Sequence, residues 1–363
     1  MSGTSARLPW WAEYALLPLL NLALALIVAG LVVLVTGSNP LEAVTSMVQG
    51  AVGTGEGIGY TLYYATDLIF TGLAVAVAFH CGLFNIGAEG QAYVGGLGLT
   101  LVCLYLDWLP FWLILPLAIL GAALFGAGYA AIPAWLQAKR GSHIVITTIM
   151  LNFIAYALME WLLVNVLIKP GQMSPETRFF TPNAVLPSMR QMLAGMGIDI
   201  ADTPLNASFF IALVCLVLVW VLIWHTRWGY GVRVVGASPR AAVYAGIAPG
   251  KRIIQAMLLS GALSGGVALN EVMGAEHKLL VNFPNGYGFT GIAVALMGRN
   301  HPVGVLLAAV LFGALYQGGA ELSFDMPNIS TYLIVALQGL VILFTGGLAT
   351  MLRPPLVRLF GRS

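Results

Sequence analysis

Charge is what this chain most lacks. Only 8% of its 363 residues are Asp, Glu, Lys or Arg, 59% are hydrophobic, and mean hydropathy is +0.90. A soluble domain carries about 25% charged residues, so this chain cannot coat a water-facing surface. It reads as an all-α, polytopic transmembrane bundle. Cysteine is scarce as well: Cys81, Cys103 and Cys215 lie in or beside apolar runs without metal-ligand spacing. Disulfide and zinc frameworks are thereby excluded, and the three read as packing residues. His80, His143, His225, His277 and His301 are scattered, so no bound metal is expected. There is no G-x-x-x-x-G-K-[ST] loop to hydrolyse ATP, and no H-E-x-x-H or G-x-S-x-G to suggest a membrane protease or hydrolase. No catalytic residue is expected.

What the chain has in quantity is long apolar runs. A spanning helix needs about 20 such residues, and runs of this kind occur at roughly 12–35, 62–82, 88–106, 110–136, 144–168, 208–225, 253–273, 287–299, 302–321 and 329–350. The eighth is short and is expected to be broken or partly re-entrant. The first, from Ala15 to Val35, exceeds a signal-peptide core of about 7–15 residues and runs into Thr36, Gly37, Ser38 and Asn39 rather than an A-x-A site. It is expected to stay as the first transmembrane helix. About ten helices in one membrane domain over 1–363 put both termini on the same side.

Basic residues set the orientation. With cytoplasmic termini, the inside loops hold Arg7, Lys139, Arg140, Arg227, Arg233, Arg240, Lys251, Arg252, Arg299, Arg353, Arg358 and Arg362. Outside fall only Lys169, Arg178, Arg190 and Lys278. The excess inside agrees with the positive-inside rule, and Trp10, Trp11, Trp108, Trp112, Trp224 and Trp228 stand at span ends where an aromatic belt belongs. Two hydrophilic stretches interrupt the spans, a Pro-rich external loop at 169–207 and an internal loop at 226–252. A short interfacial helix is expected after Pro40. Gly121 and Gly126, Gly261 with Gly265 and Gly266, and Gly339 with Gly346 and Gly347 offer small faces for close helix approach.

Between the second and third runs lies Leu83–Gln91, LFNIGAEGQ, with Asn85, Glu89 and Gln91 set among Gly82, Gly87 and Gly90. Non-helical backbone at membrane depth survives only when buried in protein or lining a wet cavity. The stretch therefore reads either as the wall of a translocation path or as a tight interfacial turn. A weak echo links it to 292–304: both LAVAVAFHCGLFNIGAEGQ and IAVALMGRNHPVG run from an A-V-A core into a polar break. Repeated interrupted helices are typical of transporters. Other intramembrane polar groups are Glu160, Glu271 and Glu321, Asn152 and Tyr156 on one helix face with Glu160, and Asn270, Gln317 and Gln338. A charge at the bilayer centre costs about 2.5–3.5 kcal/mol or more, so such groups face the bundle interior, water or a span end.

The internal loop has a local design. Ser238 as cap, Pro239 at the first helical position and Gly246 as terminator predict a short helix over the Ala-rich residues between them. Such a helix suits the docking of a soluble partner. A solvated basic loop accounts for the arginines but not for the capping.

Together, LFNIGAEGQ and RVVGASPRAAVYAGI closely resemble the permease subunits of ABC importers for nucleosides and simple sugars, within the group that also holds ribose-type and branched-chain amino-acid permeases. The resemblance covers roughly residues 12–350. Arg240-Ala241-Ala242 followed by Gly246 looks like the EAA-x-x-x-G coupling loop, with Arg240 at the Glu position and no downstream I-x-L-P. The resemblance implies a coupling segment (Arg233, Gly236, Ser238, Pro239, Arg240, Ala241, Ala242, Tyr244, Gly246) facing cytoplasmic ATPase subunits. It also implies a second, paralogous permease and an extracytoplasmic binding protein, in the bacterial cytoplasmic (inner) membrane, with no nucleic acid. The chain itself would bind no cofactor, ATP being used by the partner, and would do no covalent chemistry. For a nucleoside or sugar, Asn85, Glu89, Gln91, Asn270 and Gln317 are the candidate polar contacts along the path, and Phe84 or Tyr93 the aromatic face. The alternatives are a branched-chain amino-acid or other sugar permease, or a proton-coupled secondary transporter with Glu89 or Glu160 as its proton site.

Overall fold

The computed structural model describes residues 9, 11–12, 16–35, 37–169, 171–195, 197–326, 329, 331–344 and 352–360. Among these the regular structure is helical, with no strand beyond isolated bridges between Glu176 and Leu280 and between Ser188 and Asn206. The helices are α1 (Leu17–Val35), α2 (Pro40–Val48), α3 (Gly55–His80), α4 (Ala88–Tyr105), α5 (Phe111–Trp135), α6 (Ile144–Asn165), α7 (Met189–Ala194), α8 (Ser208–His225), α9 (Arg227–Ala237), α10 (Pro239–Tyr244), α11 (Pro249–Ser264), α12 (Tyr287–Met297), α13 (Pro302–Asp325), α14 (Thr331–Ile342) and α15 (Arg353–Phe360). Each of the ten apolar runs contains one of them. Six, counting the π-helical continuations of α5 and α11, are long and apolar enough to cross a membrane alone. The protein is a multi-pass helical membrane bundle.

Two boundaries differ from the sequence reading, at the start of α3 and in the internal loop, whereas the eighth run is short as expected. Helix α3 starts at Gly55, well before the apolar run, because residues 55–61 carry no proline and continue its helical turns. The internal loop is almost wholly helical: α9, which apolar periodicity does not signal, precedes the expected α10. Thr226 caps α9, accepting from the Gly229 N–H at 3.0 Å. The eighth run holds an 11-residue helix, about half the roughly 20 residues a span needs. The last run is seen as α14; its residues 345–350, with Gly346 and Gly347, lie outside the described residues.

The chain separates into two compact units, one of Met1–Ile58 with Ala314–Ser363, the other of Gly59–Gly313. In the first, α2 forms after Pro40 as expected, its Asn39 cap accepting from the Leu41 N–H at 3.0 Å. Ala29, Val33, Ala43, Leu322, Ile334 and Leu337 make its apolar core. In the second unit α3 is the central pillar, buried at nearly every residue from Ala65 to Ala78. Helices α4, α5 and α11 pack together through glycines: a methyl on Gly126 would collide with the Gly261 carbonyl, and one on Gly121 would lie 2.7 Å from the Gly98 oxygen. Lipid supplies no hydrophobic drive between helices, so this contact relies on close backbone packing.

Candidate functional site

Helix α3 does not run on into α4. Its end is a Schellman turn: Leu83 N–H reaches back to the Ala78 carbonyl at 3.0 Å, Gly82 N–H to Phe79 at 2.9 Å, and Gly82 takes φ +73°. After it, residues 83–86 have no regular structure, and α4 starts at Ala88. Asn85 organises the break. Its Oδ1 accepts from Gly87 N–H at 2.9 Å in an Asx turn, and its Nδ2 donates to Gln91 Oε1 and to Ser260 Oγ, both at 2.9 Å. Ser260 in turn donates to the Ala74 carbonyl at 2.6 Å, tying the break to α3 and α11. From α6, Asn152 accepts from Gly90 N–H and donates to the Ile86 carbonyl, each at 3.0 Å.

Glu89 stands one turn further along, 1% exposed. Its carboxylate accepts from Gly286 N–H at 2.8 Å, Gly288 N–H at 2.7 Å and the Tyr156 hydroxyl at 3.0 Å. Gly286 and Gly288 form the N-terminus of α12, where unpaired amides and the helix dipole favour a negative group. Glu89 on α4 thus caps α12 from across the bundle. Tyr93, one turn on, accepts from Asn282 N–H at 2.7 Å and packs edge-on with Tyr156 and Phe283. Phe84 is half-buried, its ring 5.2 Å from that of Phe79.

A second polar network is centred on Asn270, in the π-helical stretch Leu269–Glu276 after α11. Its Nδ2 donates to Asp67 Oδ2 at 2.8 Å, and its Oδ1 accepts from Ser208 Oγ at 2.8 Å and Asn206 Nδ2 at 3.1 Å. Beside it the Tyr63 hydroxyl donates to Glu271 Oε1 at 2.7 Å. The structure therefore brings Asn85 and Gln91 together with Glu89 adjacent, and places Asn270 in a network of its own. Gln317 belongs to the other unit, where its Nε2 donates to Glu321 at 3.2 Å. Glu160 is exposed, although Asn152 and Tyr156 share the face predicted for all three. Sequence reasoning missed Asp67, Asn206, Ser208 and Ser260. An Asp inside an apolar run was the available signal for Asp67; the other three carry none.

Helix α10 is built as its sequence predicts. Ser238 Oγ accepts from Ala241 N–H at 3.3 Å, Pro239 opens the helix, and Gly246 follows it at φ +73°. Ala242 is fully buried, whereas Val243 and Tyr244 are 61% and 94% exposed. Arg240 is exposed too, and Gly236 on α9 is half-buried and turned inward against His80 and Gly82.

These features, an interrupted pair of spans and a capped helix with an apolar tip, can be set beside known proteins. Residues 57–346 match the family described as branched-chain amino acid transport system / permease component. This chain belongs to that family. The permease is 35% identical over 340 residues to the glucose ABC transporter permease protein of Haloferax volcanii, covering 93% of this chain and 88% of the relative. It is 34% identical to the guanosine ABC transporter permease protein of Bacillus subtilis (92% and 93% covered) and 32% identical to a nucleoside ABC transporter permease protein of Lactococcus lactis (85% of each). Permeases of this family transport rather than catalyse, and they work in general with an ATPase and a substrate-binding protein. The secondary-transporter reading is not favoured.

Proposed function

We propose that the permease carries a nucleoside, or a simple sugar, as one half of the translocating pore of an ATP-driven importer in the cytoplasmic (inner) membrane, with both termini cytoplasmic. Helix α10 is the observation that carries the mechanism. A six-residue capped helix with Val243 and Tyr244 projecting suits a groove on a separate ATPase subunit, which hydrolyses the ATP; the permease itself holds no cofactor. Arg233, Ser238, Pro239, Arg240, Ala241, Ala242 and Gly246 then shape that helix or its surroundings. A paralogous second permease completes the pore, and an extracytoplasmic protein delivers the substrate. The loops facing outside support that delivery: Phe111, Phe179, Phe180, Gln191 and His277 line a cavity of about 550 Å³ in the 169–207 region.

Along the path, the half-buried Phe84 is the aromatic contact for a base or sugar face. Asn85, Glu89 and Gln91 shape the path by fixing where α4 and α12 begin, because their hydrogen-bonding atoms are engaged with one another and with backbone. Asn270 holds the second network, and Gln317 has the corresponding role in its own unit.

The nucleoside reading draws on the guanosine and nucleoside permeases among the relatives; the sugar reading draws on the glucose permease. Uptake of radiolabelled guanosine, adenosine, glucose, ribose and leucine by cells with and without the gene separates them. Loss of guanosine or adenosine uptake is the expected result. A selective loss of glucose or ribose uptake establishes the sugar reading, and a loss confined to leucine overturns both.

A further inference from the structure

We infer that Gly236 is the contact through which a displacement of α10 reaches the interrupted segment at residues 81–87; this rests on the reading of α10 as the ATPase-facing helix. Only Ser238 separates α9 from α10. Its N–H donates to the Val234 carbonyl at 2.9 Å, closing α9, while its hydroxyl caps α10. The two helices therefore share a junction residue and move as one piece. Their inward faces are joined as well, since Val232, Val235 and Ala242 are buried in a single apolar cluster with Ala78, Cys81 and Leu83. That cluster spans the end of α3 and the first residues of the break.

At Gly236 the contact is backbone on backbone. A methyl group there would run into the His80 carbonyl and lie 3.0 Å from the Gly82 amide nitrogen; a methyl on Gly82 would lie 3.3 Å from Gly236 Cα. Side chains absorb a shift by changing rotamer, whereas close-packed backbones transmit it. His80 carries the contact further. Its Nε2 lies 2.9 Å from the Asn300 carbonyl, and its ring is edge-on to Trp224, which meets His301 at 5.1 Å. Residues 298–301 are the turn between α12 and α13, the second of the two matching polar breaks in the sequence. One glycine contact on α9 therefore bears on both breaks at once. Gly236 is a positioning residue; it faces inward, away from the exposed tip of α10.

The test uses the assembled importer in proteoliposomes, with whichever of guanosine, adenosine, glucose or ribose the wild type carries. Substrate accumulated and phosphate released are measured together. In Gly236→Ala, substrate carried per ATP is expected to fall at least tenfold while the ATPase still co-purifies with the permease. A ratio within twofold of wild type overturns the inference. Should Gly236→Ala fail to accumulate, Gly82→Asn takes the decision on the same readout, because asparagine tolerates the left-handed φ of +73° while still adding a Cβ against Gly236: a fallen ratio supports the contact and a wild-type ratio overturns it. The reading of α10 is tested separately. A chain with Ser238–Gly246 replaced by a flexible linker must lose the ATPase on purification, and retention sinks that reading whatever Gly236 does.

Discussion

The break at residues 81–91 and the helix at 239–244 are both short, glycine-flanked elements between longer helices, yet they are stabilised in opposite ways. At the break, Asn85, Glu89 and Gln91 are each 1% exposed and bonded to backbone or to one another. At α10 the bonds are local caps, one side chain is buried, and the apolar tip projects. Buried polar groups must find partners inside the protein, so the first element is held by the bundle. The second is shaped by its own caps, is anchored through Ala242 alone and leaves Val243 and Tyr244 exposed. Under the proposed function, one is scaffold around a path and the other is a handle.

Four experiments sharpen or break that contrast, from the largest effect down. Replacing Ser238–Gly246 by a flexible linker is expected to reduce cellular uptake to background with normal accumulation of the chain in the membrane; full-rate uptake would dissolve the idea of a handle. Glu89→Ala leaves two backbone amides and a hydroxyl without their acceptor, and an expected loss on the order of 3 kcal/mol follows, read as a lowered unfolding midpoint in detergent. Abolished uptake with an unchanged midpoint would instead make Glu89 a substrate contact. Tyr244→Ala should cut uptake severalfold and leave the midpoint where it was, because the side chain is 94% exposed; a lowered midpoint would place it in the scaffold.

The smallest effect is one of pH. Burial pushes the His277 imidazole below its ordinary value of 6.5, partly opposed by the Glu276 carboxylate and a backbone hydrogen bond. Between the folded and unfolded values the unfolded chain binds more protons, so stability is fully present above 6.5 and declines as pH falls through and below it. Unfolding midpoints from pH 7.5 to 5.5 are expected to fall less in His277→Gln than in wild type. An equal fall in both would remove His277 from the external loop's packing.

Much of this was legible in the residues alone. The apolar runs located ten helices, Ser238-Pro239 and Gly246 marked α10, and the glycines around Asn85 marked the break. Helix α9 was not legible, because its Arg, Tyr and Gly residues look like loop and it is helical through packing on α11, with Trp228 Nε1 donating to Gln255 Oε1 at 3.0 Å. Asp67 was overlooked because a single acid in an apolar run does not name its partner, which is Asn270, 203 residues away.

Sequence by itself determined what local chemistry determines: membrane residence, from apolar runs too long for anything else, and helix starts and stops, from capping groups within three or four residues of the amides they satisfy. Tertiary structure decided which distant groups meet. Glu89 caps a helix 197 residues further along the chain, and Gly236 rests on the backbone at His80 and Gly82. A carboxylate or a missing side chain carries no address; only the folded bundle, which pairs most buried polar groups and packs its helices closely, assigns it one.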